Sequence, residues 1–210
     1  MNYVLCTDKK IPEAVLRRLP RYYRCLNAFE NQNILKVSSV LLSEQLAITA
    51  SQVRQDLSNF GEFGQKGFGY EVKKLKSEIA AILNIDKPQN MIIIGGGNIG
   101  QALANYSGFV NVKVTAVFDI NSDKIAVKKN IKVLNVDKLE DFIGKNQVDI
   151  CAIAVNTEAA NAVCKRAALC GIKAFWNFAP VELNVSGGVV IENVNMSDSL
   201  YVLSYKLKQL

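Results

Sequence analysis

The chain has 210 residues, with 25 Lys+Arg, 19 Asp+Glu, no histidine and a formal net charge of +6. That length accommodates one large domain or two small ones, and a composition that is 50% apolar and 21% charged gives each a core to bury. The missing imidazole excludes His-based catalytic triads, His-ligated zinc and imidazole general bases, while the positive charge favours a polyanionic partner.

The five cysteines (Cys6, Cys25, Cys151, Cys164, Cys170) are odd in number and show no C-x-x-C spacing. They read as small apolar fillers in a reducing compartment rather than a disulfide framework or a metal site, with a thiol redox sensor as the alternative. Residues 1–10 lack the apolar core of a signal peptide, and no window approaches the ~18 apolar residues of a membrane helix. A soluble, cytoplasmic protein without membrane or metal partners is expected.

In chain order, the sequence predicts one helix from Pro12 to about Phe29. Ser38 or Ser39 caps a second, short helix through Leu46, with Leu42 and Leu46 inward. After a turn at Ile48-Thr49, Thr49 caps a third helix from Ala50 to about Asn59. Val53, Leu57 and Phe60 point inward, leaving Ser51, Gln52, Arg54, Gln55 and Ser58 on the outer face. This is a helix-turn-helix layout whose outer face carries base-reading side chains. Arginine can fork onto guanine and glutamine can pair with adenine, each good pair discriminating by ~1–3 kcal/mol. An ordinary solvated helix face is the plain alternative.

Residues 61–70 (GEFGQKGFGY) hold four glycines within nine residues, alternating with aromatics. They predict a hairpin, the wing of a winged helix, with Lys66 at its tip reaching phosphates or the minor groove. Residues 72–84 then read as an amphipathic linker helix. Residues 1–85 carry 12 Lys/Arg against 8 Asp/Glu and five of the six arginines, whereas residues 86–210 carry 13 against 11. The domains are therefore placed at 1–85 (DNA binding), 86–195 (nucleotide binding) and 196–210 (terminal helix).

A buried strand at Met91–Ile94 leads into Gly95-Gly96-Gly97-Asn98-Ile99-Gly100 and a helix from Gln101 to Tyr106. Strand, G-x-G-x-x-G and helix together form a dinucleotide fingerprint. Gly95 permits the sharp turn, Gly97 lets the backbone approach a pyrophosphate, and Gly100 allows close helix–strand packing. A second strand, Val112–Phe118, ends in Asp119, 19 residues after Gly100. A carboxylate there accepts from a ribose 2′-hydroxyl and repels a 2′-phosphate, favouring NAD(H); Lys124 is the nearby basic residue that argues otherwise.

Further strands are predicted near 131–134, 149–155 and 173–176, alternating with helices near 139–143 and 157–170, which implies a parallel α/β sheet. Asn156-Thr157 and Asn177-Phe178-Ala179-Pro180 then face the ligand crevice, or Asn156 and Asn177 are simply turn residues. The chain ends on Met196, Leu200, Leu203, Leu207 and Leu210, a heptad-like seam that suggests a partner subunit.

Taken together, Val53-Arg54-Gln55-Asp56-Leu57-Ser58, the 60–70 segment, Gly95–Gly100 and Asn177-Phe178-Ala179-Pro180 resemble the Rex family of redox-sensing transcriptional repressors over essentially the whole chain. The resemblance implies a homodimer on a palindromic operator, with NADH favouring release from DNA, NAD+ permitting binding and no hydride transferred. It also implies that Tyr106 lies near the nicotinamide and that the terminal helix crosses between the partner's domains. Arg24 matches the family's switch arginine, which pairs with an aspartate of the second copy. Here that aspartate is replaced by Asn195, and Gln55, Asn59 and Lys66 stand where the family usually has lysine, tyrosine and arginine. Two other classes compete: an NAD-dependent dehydrogenase, and a DNA-binding regulator that holds coenzyme A or an adenine nucleotide.

Overall fold

The computed structural model describes residues 11–60, 69–128 and 130–210. The chain divides into two compact units, Met1–Lys87 and Pro88–Leu210.

The first unit is helical. Its opening segment is two helices, α1 (Glu13–Leu16) and α2 (Leu19–Asn31), rather than the single helix expected. Pro20 is the reason: it has no N–H to continue the hydrogen-bond ladder, and it sits instead in the first turn of α2. A two-residue strand β1 (Lys36–Val37) precedes α3 (Ser39–Leu46) and α4 (Ala50–Ser58). Both caps form as the sequence predicts. The Ser38 hydroxyl accepts from Leu41 N–H at 3.0 Å, and the Thr49 hydroxyl accepts from Gln52 N–H at 3.1 Å.

Between these helices Ala47 takes a left-handed φ of 52°. Arg21 Nη2 donates to the Leu46 carbonyl, satisfying an acceptor at the end of α3. Strand β2 (Tyr70–Glu71) pairs antiparallel with β1 and leads into α5 (Val72–Ile82). The wing hairpin itself, Lys66 included, lies outside the described residues. Val15, Leu19, Tyr22, Leu26, Leu42, Val53, Leu57, Val72, Leu75 and Ile79 form one core.

Inside that core lies a charge. Asp56 is fully buried on α4, and its carboxylate takes two bonds from Arg18, Nε and Nη2, both at 2.7 Å. Gln52 Nε2 and the Tyr22 hydroxyl complete its partners at 2.7 and 3.1 Å. Burial alone would push this carboxyl up. The hydrogen bonds from Arg18, Gln52 and Tyr22 outweigh burial and hold the group below its ordinary value.

The second unit is a six-stranded parallel sheet in the order β5-β4-β3-β6-β7-β8. The strands are β3 (Gln89–Ile94), β4 (Val112–Asp119), β5 (Lys132–Asn135), β6 (Ile150–Ile153), β7 (Ala174–Asn177) and β8 (Val190–Asn193). This is the order of dinucleotide-binding sheets. The sequence predicts no strand after β7. Strand β8 escapes prediction because the segment has only one half-buried residue, Ile191, and follows two left-handed glycines, Gly187 and Gly188.

Helix α6 (Asn98–Asn105) covers one face of the sheet, with Ala104 packed beside Met91 and Ile93. Helices α7 (Leu139–Lys145) and α8 (Thr157–Leu169) cover the other, packing with Ile92 and Ile94. The last helix, α9 (Met196–Leu207), buries none of its residues.

The polar centre at Asp56 yields the first prediction. Asp56→Ala should lower stability by about 3 kcal/mol, the cost of leaving a partly buried arginine unpaired. In the wild type, the folded-state pKa lies below the unfolded value of ~3.9, so the carboxylate's contribution is present above that value and is lost as pH falls through the folded pKa. Urea denaturation of both proteins across pH 2.5–7 (a range of roughly five units), followed by helical circular dichroism, measures both effects.

Candidate nucleic-acid interface and nucleotide site

On α4 the side chains of Ser51, Arg54, Gln55 and Ser58 are exposed. Arg54 Nη1 donates to the Ser39 hydroxyl at 3.0 Å, so the arginine is tethered to the start of α3 rather than waving in solvent. Burial pushes the Tyr70 hydroxyl up, and the nearby Arg54 charge partly opposes that shift. Gln52 departs from the expected outward orientation. It is half-buried and donates to Asp56 one turn on, because a buried carboxylate needs more donors than Arg18 supplies. Ser58 donates to the Gln55 carbonyl at 2.8 Å, while Asn59 Nδ2 donates to the Gln55 and Asp56 carbonyls at 2.9 and 3.1 Å.

Arg24 is exposed on α2 and lines a cleft of about 340 Å³ together with Arg21, Cys25, Gln32, Gln45 and Leu46.

In the second unit the glycine turn follows β3 without a break. Gly95 has a φ of +105°, donates to the Phe118 carbonyl at 2.8 Å, and lies so close to β6 that a Cβ would sit 2.4 Å from the Ala154 carbonyl oxygen. A Cβ on Gly100 would fall 1.8 Å from the Gly95 carbonyl oxygen, so α6 can approach the strand only with glycine there. Gly97, the N-cap of α6, has nothing within 4 Å of the corresponding position and is exposed. Asn98 and Ile99 beside it are exposed too. The open backbone at Gly97 matches what a pyrophosphate approach requires.

The Asp119 carboxylate holds this turn in place. Oδ2 accepts from Gly96 N–H at 2.7 Å and Oδ1 accepts from Asn121 N–H at 2.8 Å. Each oxygen keeps a further lone pair for a ligand hydroxyl. Gln101 Nε2 donates to the Gly96 carbonyl at 2.7 Å and closes the turn from the other side.

Strands β3 and β6 are neighbours whose following helices leave to opposite faces of the sheet, which makes their carboxyl ends the topological switch point. Asn156 and Thr157 are exposed there, and Asn156 Oδ1 caps α8 by accepting from Ala159 N–H at 3.2 Å.

Asn177 behaves differently. It is buried; its amide donates to the Val181 carbonyl and to Asn193 Oδ1, and its oxygen accepts from Ala179 N–H. Its side chain therefore braces the loop, leaving Phe178, half-buried, and exposed Pro180 beside the buried Ala179. Tyr106, at the end of α6, is 57% exposed.

Burial raises all four described thiols, with Cys164 pushed up to about 11. Such thiols stay protonated and are poor redox nucleophiles at neutral pH. Among the described residues no helix is long and apolar enough to cross a membrane, and no group of three or more Cys, Asp or Glu side chains is placed to hold a metal ion.

A helix-turn-helix unit joined to a six-stranded sheet with a glycine turn at its switch point defines a nucleotide-responsive DNA-binding regulator. Comparison with known proteins narrows the class. A family model described as putative DNA-binding protein N-terminus matches residues 10–58, and one described as CoA binding domain matches residues 86–181. The chain is 46% identical over 205 residues to a redox-sensing transcriptional repressor Rex of Clostridioides difficile, covering 96% of this chain and 98% of that protein. It is likewise 46% identical over 199 residues to a Rex of Caldanaerobacter subterraneus, covering 93% and 89%. Among solved structures, a complex of the Rex-family repressor RSP with β-NAD+ and operator DNA superposes with a TM-score of 0.88 at 43% identity, covering 96% of this chain and 94% of that one. RSP with β-NADH gives 0.86 at 41%, covering 96% of each chain. The chain belongs to the Rex family of redox-sensing transcriptional repressors.

The two glycines differ in how much room surrounds them. Gly100→Ala should destabilise the second unit by at least about 2 kcal/mol, since backbone must move to admit the methyl group. Gly97→Ala should cost no more than about 1 kcal/mol, the penalty of a poorer N-cap. Trp176 is the single tryptophan and sits in β7, so thermal unfolding followed by its fluorescence reads this unit directly.

Proposed function

We propose that the chain is a repressor that binds a palindromic operator as a homodimer and leaves it when NADH binds, so that transcription follows the NADH/NAD+ ratio. One combination carries this reading: a tethered arginine on an exposed recognition helix, and an Asp119-locked glycine turn, in a chain similar at full length to a protein solved with β-NAD+ and operator DNA. Ser51, Arg54, Gln55 and Ser58 face the DNA, Lys66 reaches phosphates or the minor groove, and Gln52 holds the helix through Asp56. The pyrophosphate lies against Gly95–Gly100 and the adenosine ribose against Asp119. Tyr106, Asn156, Thr157 and the 177–180 loop border the nicotinamide half.

The protein senses the nucleotide without turning it over. No imidazole is available as acid or base, and the relatives named above are repressors. It acts in the cytoplasm, where operator DNA and the dinucleotide pool meet.

Helix α9 is the part of the chain that calls for a second copy. Met196, Leu200, Leu203 and Leu207 are more than half exposed, as are Leu210 beyond the helix and Tyr201, Val202 and Tyr205 off the seam. Apolar surface thus extends beyond the narrow stripe expected, and a helix apolar on several sides is stable only when covered on several sides. A second copy, enclosing α9 rather than meeting one edge, supplies that cover.

A regulator responding to coenzyme A is the second reading, favoured by the family model matched over 86–181. The Asp119 carboxylate argues against it, because a negative charge beside the adenosine ribose disfavours a phosphate there, a 3′-phosphate less strongly than a 2′-phosphate.

Anisotropy titration on a palindromic operator, with NADH, NAD+, coenzyme A or no nucleotide, tests the reading. NADH should weaken binding while coenzyme A does nothing; equal affinity in all four conditions would sink it. Arg54→Ala should cost roughly 5- to 150-fold in specific binding and leave NADH affinity intact. Restoring the carboxylate with Asn195→Asp should enlarge the NADH-driven release by about tenfold, because a charged acceptor facing Arg24 exceeds a neutral one by ~1–2 kcal/mol. The ratio of operator affinities with and without NADH reads that gain.

A further inference from the structure

The aromatic side chains near the crevice of the second unit form a continuous row. Tyr106 meets Phe109 edge-to-face at 4.8 Å between centroids, Phe109 meets Trp176 at 5.9 Å, and Trp176 meets Phe178 at 4.5 Å. The interplanar angles of 69°, 72° and 66° are those of T-shaped contacts, which fix orientation as well as distance. Phe109 and Trp176 are half-buried and pack on the core beneath α6, whereas Tyr106 is the exposed end of the row.

Gly108 completes the arrangement. A Cβ built on it would lie 2.4 Å from Tyr106 Oη and 2.5 Å from Cζ, so the tyrosine ring lies directly over that glycine. The row runs from the end of the helix that carries the glycine turn to the loop after β7. It therefore ties together two walls of the crevice.

We infer that Phe109 and Gly108 are positioning residues that hold the Tyr106 ring at a set angle and thereby set the preference between oxidised and reduced nicotinamide. The inference rests on the NAD(H) reading above. Its chemistry is simple: the oxidised nicotinamide ring carries a positive charge and the reduced ring does not. An aromatic face attracts a cation only when correctly presented within about 6 Å. A tyrosine ring free to swivel loses that contact and favours the oxidised form less. The reduced ring, being neutral, is affected less.

The test uses the full chain and the single tryptophan. NADH binding is followed by energy transfer from Trp176, and NAD+ binding by competition. Phe109→Leu should weaken NAD+ by about two- to tenfold while NADH changes by less than about twofold. Phe109→Tyr, which restores an aromatic ring, should return the wild-type ratio. Gly108→Ala should act like Phe109→Leu, because the added methyl displaces the Tyr106 ring rather than backbone. In a Tyr106→Leu background, Phe109→Leu should have no further effect on the ratio. Two results overturn the inference: Phe109→Leu weakening both nucleotides equally, or shifting the ratio as much without Tyr106 as with it. Wild-type protein that binds neither nucleotide overturns the NAD(H) reading itself and this inference with it, a result that no variant is needed to recognise.

Discussion

The buried carboxylate of Asp56 is the constraint on which the DNA-binding unit is built. It is the one buried charged side chain among the described residues, and its desolvation must be offset by donors placed before α4 can settle. Arg18 supplies two from the start of α2, Tyr22 one from the same helix, and Gln52 one from α4 itself. An apolar contact surface would let α4 slide or roll at little cost. A four-bond carboxylate does not, since each displacement leaves a buried acceptor unmet. The angle at which Arg54 and Gln55 are presented to solvent is thus set by a polar group facing away from them.

Asn177 has a comparable part in the nucleotide unit. It is the other buried polar side chain among the described residues, and its three hydrogen bonds join the end of β7, the turn at Ala179 and Val181, and the edge strand β8. Asp119 does the same for the opposite wall by holding Gly96. Backbone amides and carbonyls in these loops are satisfied by side chains at the ends of the strands, so the protein itself holds the loops around the crevice in place. Such preorganisation reduces the entropy lost on binding.

Much of this was legible in the residues. Ser38 and Thr49 announce their helices, because a hydroxyl before an apolar-periodic run has few other uses. The glycine turn is equally readable, since steric need at Gly95 and Gly100 leaves no alternative residue. What sequence could not reveal are features that depend on partners distant in the chain. Arg18 and Asp56 are 38 residues apart, and nothing local marks that aspartate as buried or turns Gln52 toward it. Strand β8 is specified by pairing with β7 rather than by its own alternation. The break before α2 was open to inference from Pro20, but the apolar periodicity on both sides concealed it.

Position 195 shows how a helix cap constrains the shape of a residue more than its charge. Its folding task is to cap α9, and Asn195 Oδ1 accepts from Ser197 N–H at 3.1 Å. Asparagine and aspartate are near-equal N-caps, so exchanging one for the other leaves the helix intact. The charge of an aspartate would add only its attraction to the positive end of the helix dipole, about 0.3–1 kcal/mol. An asparagine here therefore preserves the geometry of the terminal helix and leaves its cap uncharged. The strength of a two-state switch scales with the differential affinity of its contacts for the two states. A switch that draws on apolar cover of a helix such as α9, whose apolar side chains are more than half exposed, does not weaken with salt as a surface ion pair does.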